Sequence, residues 1–316
     1  MYVWAGCLEY RTTSLTSEEE YMTHPPYRWH SKLTPWVFII PTVIGILVFR
    51  LIPIVSSLYL SFTDWNLLSS PAFIKLGNYQ ELLSSEEFIG IVLNTLQFSL
   101  IYVVGSIVCG LALAVLINVR IKGISFFRSA IYLPVVTSAV AVGIIWNWML
   151  GPTYGLVNNL IEAIGLTPPY WLGDTKLALN TVASVQVWKM SGYYMIIFLA
   201  GLQGINRDTL ESARVDGANA FQSFFRITLP MLMPTLFFVL TITIIDSFKN
   251  FELIYAMTKG GPQNASNTLV YDVYLNAFVY YRVGYASAIA YILLLFVGLM
   301  TIFNFYIKKH LIQNLD

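Results

Sequence analysis

The chain has 316 residues, of which 57% are hydrophobic and only 11% charged. Soluble domains carry about 25% charged residues, so the composition places the chain in the membrane class. A formal net charge of +1 gives no basis for nucleic-acid binding, and two cysteines cannot build a disulfide scaffold.

Residues 1–32 read as a polar cytoplasmic tail, poorly ordered at its start, with Met22 as an alternative start site. Cys7 follows Trp4-Ala5-Gly6, a faint echo of a lipoprotein cleavage box. No charged stretch and no adequate apolar stretch precede it, so neither lipidation nor a signal peptide is expected. A bilayer-spanning helix needs about 20 apolar residues. Six segments qualify: 34–60, 94–118, 130–150, 177–202, 232–256 and 285–307. Cys109 lies inside the second, where it acts as a small hydrophobe.

Lysine and arginine then set the orientation. One set of flanks holds Arg11, Arg28, Lys32, Arg120, Lys122, Arg128, Arg207, Arg214, Arg226, Lys308 and Lys309. The other holds only Lys75, Lys176, Lys259 and Arg282. The richer side is cytoplasmic, so both termini are inside. The expected organisation is a cytoplasmic tail over 1–32, an all-α transmembrane domain over 33–310, and a cytoplasmic tail over 311–316. Three external connections exceed simple turns, at 63–93, 151–176 and 258–282. Gly155 to Ile164 has helical spacing and is expected to lie along the outer surface. Lys259-Gly260-Gly261-Pro262 signals a sharp turn.

Charges inside spans cost about 2.5–3.5 kcal/mol at a helix centre. Arg50, Lys189, Asp246, Lys249 and Glu252 are the cases here. Arg50 is in the outer part of its span and can snorkel. Asp246, Lys249 and Glu252 recur every third residue, which predicts one drifting helical face with mutual ion pairs. That face, with Asn250 beside it, is either the wall of a polar pathway or glue between helices. Trp146-Asn147-Trp148 and Gln186-Val187-Trp188-Lys189 offer hydrogen-bonding groups beside aromatic faces, the mixture that binds sugars. Tryptophans also gather at membrane interfaces without any ligand.

Enzyme chemistry fails on inventory. The three histidines, His24, His30 and His310, lie outside the spans. The chain has no His-Glu-x-x-His, no Gly-x-Ser-x-Gly and no Gly-x4-Gly-Lys-Ser/Thr phosphate loop. No metal, cofactor or ATP is expected to bind this chain.

Residues 211–230 form a polar segment between two apolar runs, and their order predicts a helix-turn-helix rather than a simple connection. The segment resembles the EAA-x3-G-x9-I-x-LP loop of binding-protein-dependent ABC transporter permeases. Glu211, Ala213, Gly217, Ile227, Leu229 and Pro230 match at the right spacing, and Ser212 replaces the usual Ala. Further segments resemble the carbohydrate-importing branch, the maltose and glycerol-phosphate type. They are Phe62-Thr63-Asp64-Trp65, Leu76-Gly77-Asn78-Tyr79, Tyr154-Gly155-Leu156-Val157-Asn158, Trp171-Leu172-Gly173, Phe248-Lys249-Asn250-Phe251-Glu252, Thr258 to Pro262, and Gly284-Tyr285-Ala286-Ser287-Ala288. Glu252 stands where that branch has Asp, and Lys259 where it often has Gly.

The resemblance implies a permease subunit of an ATP-driven importer for a sugar or oligosaccharide in the bacterial inner membrane. It implies a heterodimer with a second permease, two ATPase subunits that hold ATP and magnesium, and an extracytoplasmic solute-binding protein. Residues 205–230 would then couple to the ATPases through Glu211, Ser212, Ala213, Asp216, Gly217, Ala220, Phe221 and Pro230. Gly217 would permit the reversal, Ala213 and Ala220 close docking, and Pro230 would end the second short helix and begin the fifth span. Glu211 either pairs with a basic residue of the ATPase or is a charge favoured at a helix start. The substrate pathway would draw on Asn147, Gln186, Lys189, Asp246, Lys249, Asn250 and Glu252. The competing classes are a secondary transporter, which leaves the cytoplasmic loop unexplained, and a permease for a non-sugar solute such as a glycerol phosphoester.

Overall fold

The computed structural model describes residues 30–119 and 121–312. The expected tail before residue 30, with Cys7 and Met22, and residues 313–316 lie outside the described residues. Contacts divide the chain into two compact units, one ending at Ile54 and the other beginning at Val55.

The described residues of the first unit are helical. Helix α1 (His30–Ile46) runs through a π-helical turn at Leu47–Leu51 into α2 (Ile52–Leu60), and Arg50 sits in that turn. The stretch Trp36–Leu60 is long and apolar enough to cross a membrane.

The second unit opens with a two-residue antiparallel pair, β1 (Thr63–Asp64) with β2 (Ala72–Phe73), the strand content among the described residues. Helix α3 (Gly77–Ser84) follows. Helix α4 (Glu86–Ile117) starts where the Ser85 hydroxyl accepts the Phe88 amide at 3.2 Å, with Glu86 and Glu87 near its positive end. Then come α5 (Ile124–Val136), α6 (Ala139–Met149), α7 (Leu156–Ala163) and α8 (Ala178–Gln203). Helices α9 (Arg207–Val215) and α10 (Ala220–Ser223) lead through a π-helical turn into α11 (Leu229–Met231) and α12 (Met233–Ser247). Helices α13 (Glu252–Met257), α14 (Leu269–Tyr274) and α15 (Val283–Ile312) complete the unit.

Each of the six expected spans is helical, but two are not the unbroken helices expected. The third bends by 96° between α5 and α6 at Thr137-Ser138, three residues past Pro134. The fifth stops at Ser247 and resumes as α13 at Glu252. Three helices are apolar and long enough to cross a membrane, and five spans result if each bent pair counts as one. Helix α8 has the length, 26 residues, but carries Asn180, Gln186, Lys189 and Gln203. Lys189 is buried against other helices and Asn180 and Gln186 are half-buried, while Gln203 sits exposed at the helix end. Phe98, Tyr102 and Ala114 of α4 meet Val182, Tyr194, Met195 and Phe198 of α8 in the main buried cluster, with Leu232, Val239, Leu253 and Ile254 closing it.

Several family-like segments turn out to pin one another. The Asn78 amide donates to the carbonyls of Ser61 and Thr63, both at 2.9 Å, and the Tyr79 hydroxyl donates to Ser61 Oγ at 2.8 Å. The Val283 amide closes onto the Trp65 carbonyl at 2.9 Å. The Trp171 indole donates to Asn158 Oδ1 at 2.8 Å, folding the second external connection back on α7.

Candidate functional site

Within residues 205–230 a helix, α9 (Arg207–Val215), is followed by a turn and the short helix α10 (Ala220–Ser223). The Asn206 side chain accepts the Asp208 amide at 2.9 Å and starts α9. That helix ends in a Schellman turn: Gly217 has φ +84°, and the Ala218 amide reaches back to the Ala213 carbonyl at 2.9 Å. Asn219 and Gln222 then form a reciprocal capping box, at 2.8 and 3.0 Å, that starts α10. Local chemistry thus fixes both ends of the reversal.

Glu211, Ser212, Asp216, Gly217, Ala220 and Phe221 are exposed on this element. Val215 and Phe221 are 88% and 71% exposed, which leaves apolar surface on an otherwise polar segment. Ala213 departs from expectation. It is 8% exposed and faces the chain's own interior, so its small side chain serves the packing of α9 rather than a docking contact. Pro230 departs as well. The helical run Ala220–Met231 passes through it, and the 68° bend falls at Leu232, before Met233. Beneath the element lies a cleft of about 340 Å³, walled by the ends of α4 and α8, with Leu210, Ala220 and Phe224 above.

The second site is the polar interior of the spans. Tyr102 of α4 and Tyr194 of α8 share a hydrogen bond of 2.8 Å, and the Tyr194 hydroxyl donates to Asp246 Oδ2 of α12 at 3.3 Å. Both tyrosines are fully buried, while Asp246 keeps part of its surface open. Gln186, one of the residues chosen from sequence, approaches the Tyr102 hydroxyl. The structure therefore joins Gln186 and Asp246 through two residues that sequence reasoning passed over. A lone hydroxyl on an apolar helix carries no periodic signal.

Lys189 is 7% exposed and donates to the Val135 carbonyl at 3.2 Å. That carbonyl belongs to the last turn of α5, where the 96° bend leaves the helix end without a continuing partner. A cation at the negative end of a broken helix is well placed. Gly192, three residues on, lets the backbones approach: a Cβ there would sit 2.3 Å from the Ile131 carbonyl oxygen.

Asn147 donates to the Met257 carbonyl at 2.8 Å, tying α6 to the end of α13, and lines a small cleft of about 160 Å³ with Tyr170 and Leu172, apart from Gln186 and Asp246. Lys249 and Glu252 are exposed, and the break between α12 and α13 removes the common face that their spacing predicts. The expected ion pairs among Asp246, Lys249 and Glu252 do not form. Among the described residues the ion pair within 4 Å is Arg282–Glu81, at 2.7 Å. Asn250 is 8% exposed, and its Nδ2 has no hydrogen-bond partner within the chain.

Comparison with known proteins agrees with this arrangement. The profile of the family described as "Binding-protein-dependent transport system inner membrane component" matches residues 88–313. A probable ABC transporter permease, YesP of Bacillus subtilis, is 38% identical over 87% of this chain and 90% of its own length. The trehalose/maltose transport system permease MalF of Thermococcus litoralis is 32% identical over 86% of this chain and 92% of its own. In structure, a chain of a bacterial ABC transporter involved in the import of the acidic polysaccharide alginate superposes with a TM-score of 0.80 at 26% identity, covering 89% of this chain and 96% of that one. The chain therefore belongs to the family of inner membrane components of binding-protein-dependent transport systems.

Proposed function

We propose that this chain is one permease half of an ATP-driven importer that carries a sugar or oligosaccharide across the bacterial inner membrane. It has no catalytic role of its own; two partner ATPases bind ATP with magnesium, a second permease completes the pathway, and an extracytoplasmic binding protein delivers the substrate. Six spans, with α8 as the enclosed fourth, keep both termini and residues 205–230 in the cytoplasm. The lysine and arginine distribution supports that orientation. The sugar reading is supported by relatives named for trehalose and maltose, for arabinooligosaccharides and for starch degradation products.

The proposed mechanism is alternating access. Closure of the ATPases moves α9 and α10, whose reversal is rigid enough to act as one body. The motion enters α12 through the bend at Leu232. Fifteen residues of α12 span about 22 Å at 1.5 Å each, and Asp246 stands at the far end. One helical run therefore carries the docking element at one end and a polar interior residue at the other.

The observation that carries the substrate site is Asn250. Its buried amide lacks a partner, a state that costs about 1–3 kcal/mol unless something fills it. Four residues back, Asp246 offers an acceptor. An unpartnered amide donor and a carboxylate acceptor are the groups a sugar hydroxyl uses, accepting from one and donating to the other. In proteoliposomes holding the whole complex, Asn250→Leu is expected to raise the KM for uptake at least tenfold with basal ATP hydrolysis unchanged. Unaltered uptake kinetics would remove Asn250 from the site. A second reading rests on the relative named as an sn-glycerol-3-phosphate permease, UgpA of Agrobacterium fabrum, 32% identical over 87% of this chain. Uptake of that phosphoester and of no saccharide would favour it.

A further inference from the structure

A cleft of about 360 Å³ opens between α6, α7 and α8, where the connection 150–177 crosses the ends of the spans. Trp146, Trp171 and Trp188 wall it, with Leu150 and Val185. The Trp146 and Trp188 rings meet edge to face at 5.4 Å. Three polar side chains also line it, and each already has its partner in the chain. Asn180 donates to the Lys176 carbonyl at 3.0 Å and accepts from Gln97 at 2.7 Å. The Thr181 hydroxyl donates to the Trp171 carbonyl at 3.3 Å, and the Ser184 hydroxyl to the Asn180 carbonyl at 2.8 Å. A sugar entering here would surrender water and find these groups occupied, at a cost of about 1–3 kcal/mol for each unmatched group. The cleft selects an apolar occupant. An apolar cavity of about 150 Å³ takes a benzene, so this one has room for a longer hydrocarbon segment.

Two features identify the source of that hydrocarbon. The cleft sits beside the ends of two spans read from hydropathy: α6 ends at Met149, α8 begins at Ala178, and indoles collect where spans leave a membrane. Lys176 is exposed one turn above Asn180, on the line that continues through Ser184 and Trp188. Its carbonyl accepts from Asn180, which lines the cleft, and its long flexible stem lets the ammonium reach toward a lipid phosphate at the mouth.

We propose that the cleft seats one acyl chain of a membrane phospholipid, with the phosphate against Lys176. On the orientation read from lysine and arginine, this is an outer-leaflet lipid. The proposal stands apart from the identity of the transported solute.

The test uses the permease co-purified with its partner subunits from nanodiscs of phosphatidylglycerol and phosphatidylcholine in equal amounts. Lipids retained on the complex are counted by native mass spectrometry. Wild type is expected to retain one more lipid than Val185→Trp, which fills the cleft. Lys176→Gln changes an exposed residue and leaves the fold intact; it should lower the preference for phosphatidylglycerol several-fold. Acyl chains brominated near the headgroup should quench tryptophan emission more strongly in wild type than in Val185→Trp. Equal lipid counts and an equal headgroup preference in all three proteins would overturn the proposal. So would a disulfide between Ser184→Cys and a cysteine on the second permease, which would give the cleft to that chain.

Discussion

At Gly217 the backbone, not packing, sets the residue type: φ is +84°, and an added Cβ would meet no atom within 4 Å. A β-branched residue there carries the conformational cost alone, about 1–2 kcal/mol. Gly217→Val is expected to lower recovery of the ATPase in a pull-down several-fold while membrane insertion stays normal. Gly217→Asn, a residue that tolerates the left-handed region, should retain most of it. Equal recovery from all three proteins would show that docking does not need the turn. Asp272, in the external connection, makes a second residue-scale prediction. Burial pushes its carboxyl up to about 6, with the charge of Glu87 adding and hydrogen bonds from Asn267 and Asn276 opposing. An acid raised on folding holds more protons folded than unfolded between 3.8 and about 6. Stability therefore falls as pH rises through that window, and the full penalty, roughly 3 kcal/mol, stands above it. Asp272→Asn keeps an acceptor for Asn276 and should raise the apparent melting temperature of the complex at pH 7.5, with little change at pH 4. An equal rise at both would contradict the assignment. The reversal between α9 and α10 was legible because Glu211 to Pro230 hold a fixed spacing. The inward face of Ala213 was not, because the Schellman turn decides which side of α9 packs, and no single residue records it. Tyr102 and Tyr194 were invisible because their rings belong to the apolar core and only their hydroxyls do polar work.

Among the elements, the apolar runs marked where helices lie, and the breaks within them escaped the sequence. Hydropathy is a window average, so it bridges Thr137-Ser138 and residues 248–251 alike. Pro134 offered a signal for the first break, but the bend comes three residues later, where Lys189 and Gly192 of α8 receive the end of α5. The break after Ser247 decides a question that spacing left open. Asp246, Lys249 and Glu252 would share a face only on a continuous helix. With α12 and α13 separate, Lys249 and Glu252 are both exposed and unpaired with each other. The effects of Lys249→Met and Glu252→Gln on expression and on uptake should therefore add, with an interaction term below about 0.5 kcal/mol. Rescue of the Lys249 variant by the Glu252 change would restore the paired face and contradict the break.

As a whole molecule, this chain is on the proposed function a passive body moved by others. It carries the docking reversal, the bent spans and the polar interior, but no phosphate loop with which to hold ATP. On the proposed function, energy enters through residues 205–230 and leaves as a change in which side the interior residues face. That claim is tested most directly by reconstituting this permease with its second permease and ATPases in proteoliposomes. ATP is placed in the lumen, and the binding protein with a radiolabelled oligosaccharide outside. The account predicts accumulation that requires lumenal ATP and the binding protein, and that vanishes when this chain is reconstituted alone. Accumulation by this chain alone, driven by an ion gradient and indifferent to ATP, would contradict it.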